Sequence, residues 1–376
     1  MRSGLKLLLL LITIPVNLFA QEVQHSILNI GDPAPPLRVS QWIKGIQVPK
    51  FKKGRVYVIE FWATWCKPCL AAMPHLSALA REYKDKVDVI AIDIYESKTK
   101  PVKTSKRVKD FVDSIGNKMD FNVAIEERNF TVEDWIVSTE EQNSGIPRTF
   151  VIDENGKLAW IGKPSELEEV LLKILNSSWD INEELKRRNE NKRIAILDDS
   201  LNYVLMRFTR NQYNMNDTDN PDSALLMINE IVKNEPKLKY APFIASNTFN
   251  ALLKTDPQRA YEYGKIAIVT PTYDSPPCDF IISKIKEYSN KLNLPSEIYE
   301  LGAEAYQEEI NQIHYPELVN LPRFYNNMAE MYRLAKNKVK AVESIQKAIE
   351  LSKSKKDVSK KEIEALESTL QQYKKL

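Results

Sequence analysis

The stretch Phe61-Trp62-Ala63-Thr64-Trp65-Cys66-Lys67-Pro68-Cys69 decides the fold. It follows a β-rich apolar run, Tyr57-Val58-Ile59-Glu60-Phe61, and opens a segment from Pro68 to Tyr83 with helical composition. Two residues separate the cysteines, so one turn of helix brings both sulfurs together as a disulfide. Cys66 would then sit at a helix N-terminus, where free N–H groups and the helix dipole favour a thiolate. A thiol pKa of ~8.5 can fall there to roughly 3.5–7.5. Pro68 is tolerated in the first turn, because the N–H it lacks would have no partner there. Pro74, inside the same helix, predicts a kink.

Working outward, Val87 to Ile94 reads as a second strand. Apolar strands separated by a helix imply parallel pairing and an α/β sheet. Thr149 to Ile152 and Leu158 to Ile161 flank Asp153-Glu154-Asn155-Gly156-Lys157, a strong hairpin signal. Pro164 to Leu175 reads as an amphipathic closing helix, and residues 130 to 143 as a short acidic helix. The Lys-rich stretch from Ser97 to Lys109 is read as a solvated helix face and loop rather than a substrate-steering patch.

Two residues outside the cysteine pair are candidates for its chemistry. Glu60 interrupts an otherwise apolar strand six residues before Cys66. A carboxyl buried under the cysteines is protonated at neutral pH if desolvation raises its pKa, and it can exchange a proton with Cys69. Ile146-Pro147, after Gly145, is a candidate cis peptide facing the cysteines. Half of a zinc site is rejected as a reading of Cys66 and Cys69, because four ligands are needed. Only Cys278, His25, His75 and His314 remain, none in ligand spacing. Cys278 follows Ser275-Pro276-Pro277 in a predicted loop, as a quiet, partly buried thiol or one open to intermolecular pairing.

The ends of the chain differ from this centre. Arg2 and Lys6 precede a short apolar run from Leu7 to Val16, and Leu18-Phe19-Ala20 could be a cleavage site. That pattern predicts a signal peptide over residues 1–20 and an exported, periplasmic protein. An uncleaved membrane anchor is the alternative; the run is shorter than the ~20 residues that span a bilayer. The chain has 53 Lys plus Arg against 51 Asp plus Glu, so without Arg2 and Lys6 the two signs balance. Such neutrality gives no support for nucleic-acid binding, which needs a concentrated positive field. With three cysteines in 376 residues, the chain is no disulfide-stapled scaffold either.

Beyond about residue 177 glycine nearly vanishes and helical stretches take over. Met328, Ala329, Tyr332, Ala341, Ile345 and Ala348 fall at the spacing of a tetratricopeptide helix pair. Ala224/Ile228/Ile231 and Ala260/Gly264/Ala267 repeat the second-helix pattern, 36 residues apart, near the ~34 of that repeat. The stretch around 283 to 313 matches poorly, and an irregular helical bundle is the alternative. The predicted organisation is therefore a signal peptide at 1–20, an α/β domain at 21–176 and an all-α, tetratricopeptide-like helical-repeat domain at 177–376.

Phe61 to Cys69, with Pro74 and then Gly145-Ile146-Pro147, resembles thioredoxin. Gly31-Asp32-Pro33-Ala34-Pro35 and the export signal resemble the TlpA/ResA-like thiol-disulfide oxidoreductases. The resemblance covers residues 27 to 176 and implies a thioredoxin-like fold for the α/β domain at 21–176. It implies Cys66 as exposed nucleophile, Cys69 as buried resolving thiol and Glu60 as buried acid. It implies Pro147 as the cis-proline, with the backbone at Ile146 pairing with substrate peptide, and Trp62 and Trp65 as aromatics beside the disulfide. A substrate protein with a disulfide and a membrane-bound thiol electron donor are implied as partners, and no cofactor. The sequence departs from the pattern at Ala72, where many relatives carry an acid, and in lacking a Lys between Val87 and Ile94. Arg148 replaces a smaller residue and is expected to place a charge near the substrate edge. Gly31 to Pro35 also resembles the peroxiredoxin start, but Ala63 stands where a peroxidatic Cys66 would need Thr or Ser, so peroxidase activity is not expected.

Three functions follow from these readings. The first is reduction of protein disulfides. The second is a protein-binding helical scaffold with a redox-sensitive or vestigial thioredoxin domain. The third is an oxidant or isomerase, favoured by the positive charge of Lys67 beside Cys66.

Overall fold

In a computed structural model the chain is described over residues 27–96, 104–141, 144–208, 219–273, 276–354 and 359–375. The predicted signal peptide, His25 and part of the Lys-rich stretch lie outside these residues. No described helix is long and apolar enough to cross a membrane.

A six-stranded sheet has the order β1-β4-β3-β2-β5-β6. Its strands are β1 (Gln41–Lys44), β2 (Val56–Trp62), β3 (Val87–Asp93), β4 (Asn122–Ile125), β5 (Arg148–Ile152) and β6 (Leu158–Gly162). β2 pairs in parallel with β3 and antiparallel with β5. Flanked on both sides and covered on both faces, β2 is buried at every position, which explains its near-continuous apolar run. β5 and β6 form the predicted hairpin, turned at Gly156 with φ +81°. β1 and β4 escaped the sequence reading: each is four residues long, too short to show a period.

One face of the sheet carries α1 (Lys67–Glu82), α2 (Thr104–Ile115) and, further along the chain, α4 (Leu167–Leu175). α1 runs through Pro74 as one helix. The expected acidic helix near residue 130 is instead one α turn, α3 (Phe130–Val132), continuing into a π turn at Glu133–Val137. The wide turn lets Trp135 sink into the core of the other face, edge-on to Phe150 and Phe51.

α5 (Ile181–Leu205) belongs to both halves of the molecule. Ile181 and Leu185 pack against the sheet, whereas Ile194 and Leu205 join a helical cluster with Ile228 and Ile244. The remaining helices are α6 (Pro221–Asn234), α7 (Pro242–Thr255), α8 (Pro257–Ala267), α9 (Cys278–Tyr288), α10 (Ser296–Asn311), α11 (Leu321–Leu334), α12 (Lys338–Ser354) and α13 (Lys360–Tyr373). α7 packs on both α5 and α9, and α10 packs on α8, so alternate helices stack. Gly264 permits this approach: a Cβ there would stand 2.4 Å from Leu301. Ala329, Ala341 and Ala348 serve the same end between α11 and α12, where all three are fully buried. The turn Pro316–Leu318 returns to lie against α1, so the helical half meets the sheet unit at more than one place.

Cys278 corrects an expectation. It is the first residue of α9, not part of a loop, and only 2% exposed. Burial pushes its thiol up to about 12, so it stays protonated and out of reach of a partner chain.

Candidate active site: a dithiol pair over a buried acid

The end of β2 delivers the chain into the first turn of α1, and Cys66 is the N-cap of that helix. Its sulfur accepts the backbone N–H of Cys69 at 3.3 Å. This is the bond that a thiolate strengthens, since the acceptor would then carry a full charge. Cys66 and Cys69 form a disulfide. Cys66, expected to be exposed, keeps only 3% exposure in the disulfide and Cys69 none, while Lys67 and Pro68 are exposed. Attack from solvent can therefore come only through Cys66.

The neighbouring loops close around this turn. Sγ of Cys66 lies 3.7 Å from the carbonyl oxygen of Ile146, and Ile146–Pro147 is cis. The Thr64 N–H donates to Oε1 of Glu96 at 2.6 Å, and Arg107 pairs with the other oxygen of that carboxylate. Trp65 is 57% exposed and anchored by its indole N–H to the Tyr95 carbonyl at 3.2 Å. Trp62 differs from the expectation. It is fully buried against Phe111 and has no surface with which to meet a substrate. Its position in β2 alternates with Phe61, so it points under α1 rather than outward.

Glu60 sits at the centre of the sheet, on the same face as Val58 and Trp62, beneath the helix that carries Cys69. It is wholly buried. The Thr149 hydroxyl, its register neighbour on β5, donates to Oε2 at 2.5 Å, while Oε1 has no partner. Burial pushes the carboxyl up to about 8, against the opposing effects of the Thr149 bond and Arg148. On β3 the residue in register with Glu60 is Ala91, so no cation from that strand offsets the burial.

Asp93 is a second buried acid that sequence reasoning missed. It is in register with Trp62 on β3, 1% exposed, with Oδ2 unpartnered. Burial and the neighbouring Glu96 carboxyl push it up to about 9. The sequence carries a signal for it: Asp93 breaks an apolar strand just as Glu60 does.

Arg148 also departs from expectation. It turns inward to the Glu141 carboxylate, Nε to Oε2 3.3 Å, and keeps only 9% exposure. It offers no free charge to a substrate edge. Ala72 is buried inside α1, leaving that position without an acid. Among the described residues no group of three or more His, Cys, Asp or Glu could hold a metal ion.

A dithiol that opens a helix at the end of a central strand, in this sheet order, defines a thioredoxin-superfamily thiol-disulfide oxidoreductase. Comparison with known proteins narrows the class. The AhpC/TSA family profile matches residues 30–161. Protein FixW of Rhizobium leguminosarum is 30% identical over 158 residues, covering 41% of this chain and 69% of FixW. Thiol-disulfide oxidoreductase ResA of Bacillus anthracis is 35% identical over 133 residues, covering 35% of this chain and 68% of ResA. A solved thiol-disulfide isomerase from Corynebacterium glutamicum shares 22% identity with a TM-score of 0.32, over 39% of this chain and 97% of that one. The chain belongs to the TlpA/ResA-like thiol-disulfide oxidoreductases.

Proposed function

We propose that this is an exported enzyme that reduces disulfides in substrate proteins through Cys66 and Cys69. The observation that carries the reading is the position of Cys66: N-cap of α1, receiving the Cys69 N–H, beside the Ile146 carbonyl and above the buried Glu60. In the reduced state the Cys66 thiolate attacks one sulfur of a substrate disulfide. A mixed disulfide forms and the other substrate sulfur leaves as a thiolate. Cys69 then loses its proton to Glu60 and attacks Cys66, releasing the second substrate thiolate and restoring the Cys66–Cys69 disulfide. Two electrons pass to the substrate, and a membrane-bound thiol donor is proposed to return them. Glu60 suits this transfer: with the carboxyl titrating near 8, its ionised fraction at neutral pH takes the Cys69 proton, and the buried acid so formed holds it in the core.

Substrate peptide is proposed to lie along the backbone of Ile146 and Pro147, with the exposed Trp65 at its side. Export rests on the pattern of residues 1–20. The division into a thioredoxin-like domain at 21–176 and a tetratricopeptide-like domain at 177–376 is part of the proposal, with the helical half as a protein-binding surface. The packing of alternate helices from α5 to α10 supports it.

The test is a trap. Cys69→Ser should hold substrates as mixed disulfides on Cys66, released by reductant. Partners retained equally by the Cys66→Ser/Cys69→Ser double variant would favour the scaffold reading instead.

A further inference from the structure

Outside the dithiol, the described residues include the carboxyls around Asp93, the buried Asp198, and an ionic strap joining α5 to residues 139–141 and Arg148. Residues 139–141 and 144–148 approach the site from the sheet unit, and two side chains one turn apart on α5 reach them. Arg188 pairs with the Glu141 carboxylate, and its Nη2 donates to the Thr139 carbonyl at 3.2 Å. Lys192 pairs with Glu140. Glu141, 7% exposed, is held from its other side by Arg148, which also donates to the Ser144 carbonyl at 3.3 Å. Arg148 is two residues from Ile146, whose carbonyl lies against Cys66. A continuous ionic path therefore runs from α5, through Glu141 and Arg148, to the edge proposed to receive substrate.

The path is not a packed apolar wall. A cavity of about 810 Å³, lined by Arg148, Lys163, Arg187 and Asn191 among others, separates α5 from the sheet around it. α5 is instead seated at its start, where Ile181 and Leu185 enter the sheet's core and the Trp179 indole donates to the Ala159 carbonyl at 3.0 Å. The ion pairs are thus additional to what joins the halves, and their natural role is to set the position of what they hold. A buried carboxylate hydrogen-bonded at one oxygen by Arg188 and ion-paired at the other with Arg148 is constrained from two sides.

We infer that α5 positions the substrate edge: Arg188, and secondarily Lys192, hold Glu140 and Glu141 so that Arg148 fixes Ile146 for an extended, disulfide-bearing peptide. Arg188 and Glu141 are positioning residues, not catalytic ones. The helical half then contributes to the reaction without touching the sulfurs. This rests on the reading of Ile146 and Pro147 as the substrate edge.

The experiment is single-turnover oxidation of the pre-reduced full chain, by oxidised insulin as protein disulfide and by oxidised glutathione as small disulfide. Arg188→Ala and Glu141→Gln should each raise the insulin concentration for half-saturation about fivefold, with the limiting rate and the glutathione rate within about twofold of wild type. The double variant should be no worse than the more affected single one, because both cut the same path. Arg188→Lys should recover part of the loss, and the exposed Lys192→Ala should show a smaller one in the same direction. Thermal melts identify any variant that fails to fold, and Lys192→Ala then carries the test. A lowered melting temperature with unchanged half-saturation would overturn the inference and leave a purely structural strap. If the wild-type dithiol reacts with neither disulfide, the reading of the site fails. Hydrogen exchange at 144–148 then decides the positioning claim: faster exchange in Arg188→Ala upholds it, and unchanged exchange overturns it.

Discussion

Asp198 in α5 and Glu60 in β2 are both wholly buried carboxyls, one in each half of the molecule. Asp198 accepts the N–H groups of Phe243 and Ile244, each at 2.9 Å, and the Tyr273 hydroxyl at 2.7 Å. Both its oxygens are used, and the first turn of α7 is tied to α5. Glu60 accepts a single hydroxyl and leaves Oε1 without a partner. A buried carboxyl saturated with donors is a clasp; one left short of donors beneath a thiol is prepared to change its protonation state. Asp93, with Oδ2 unpartnered, falls in the second group. In the helical half Asp198 is satisfied, while Glu309 of α10 also leaves Oε1 without a partner; the sheet unit has left both Glu60 and Asp93 short of donors, and these two lie around the end of β2 that leads to the dithiol.

This contrast can be broken at several points. The largest effect is expected at the sulfurs themselves: Cys66→Ser should abolish turnover, by a factor on the order of 10³ or more, with unchanged circular dichroism of the helical half. Next, Glu60→Gln should slow release of the mixed disulfide about 10²-fold and remove the rate change with pH near 8. Asp198→Asn should do neither in stopped-flow traces, and a comparable loss there would erase the distinction. Stability should separate the acids too. Because the folded value of Glu60 lies above its unfolded one, its stabilising contribution is full below about pH 4.5 and is lost as pH rises through about 8. Denaturant titrations should therefore show Glu60→Gln gaining on wild type by roughly 4 kcal/mol between pH 4 and 9. Asp198→Ala leaves three donors unmatched and should cost about 3 kcal/mol at pH 7, with the redox rates unchanged. The smallest effect is expected at the exposed Trp65: its replacement by Ala should cost roughly 1 kcal/mol in binding of a protein disulfide, read from half-saturation.

The dithiol, Glu60, Ile146–Pro147 and the hairpin could be read from the sequence because each is a local pattern: a fixed spacing, an acid in an apolar run, an Asn-Gly turn. β1 and β4 could not, since four residues carry no period and their pairing is decided by neighbours distant in the chain. The same holds for the inward turn of Arg148 and for the burial of Trp62. Sequence position put both beside the cysteines, but strand alternation and the Glu141 carboxylate fix where they point. The two prolines before Cys278 read as a loop, whereas Pro277 caps the helix that buries it. The ion pairs of Arg188 and Lys192 had no signal at all: a Lys- and Arg-rich helix reads as a solvated face until the loop it grips is in view.

The most direct test of the central claim is the reduction potential of the Cys66–Cys69 couple. The purified protein would be equilibrated in graded thiol buffers and alkylated, and its modified cysteines counted by mass. A reversible two-electron transition at about −250 mV or lower, the thioredoxin end of the scale, is the result the account predicts. A value near −120 to −180 mV would reverse the direction to oxidation or isomerisation, and the absence of any reversible transition would contradict the enzyme itself.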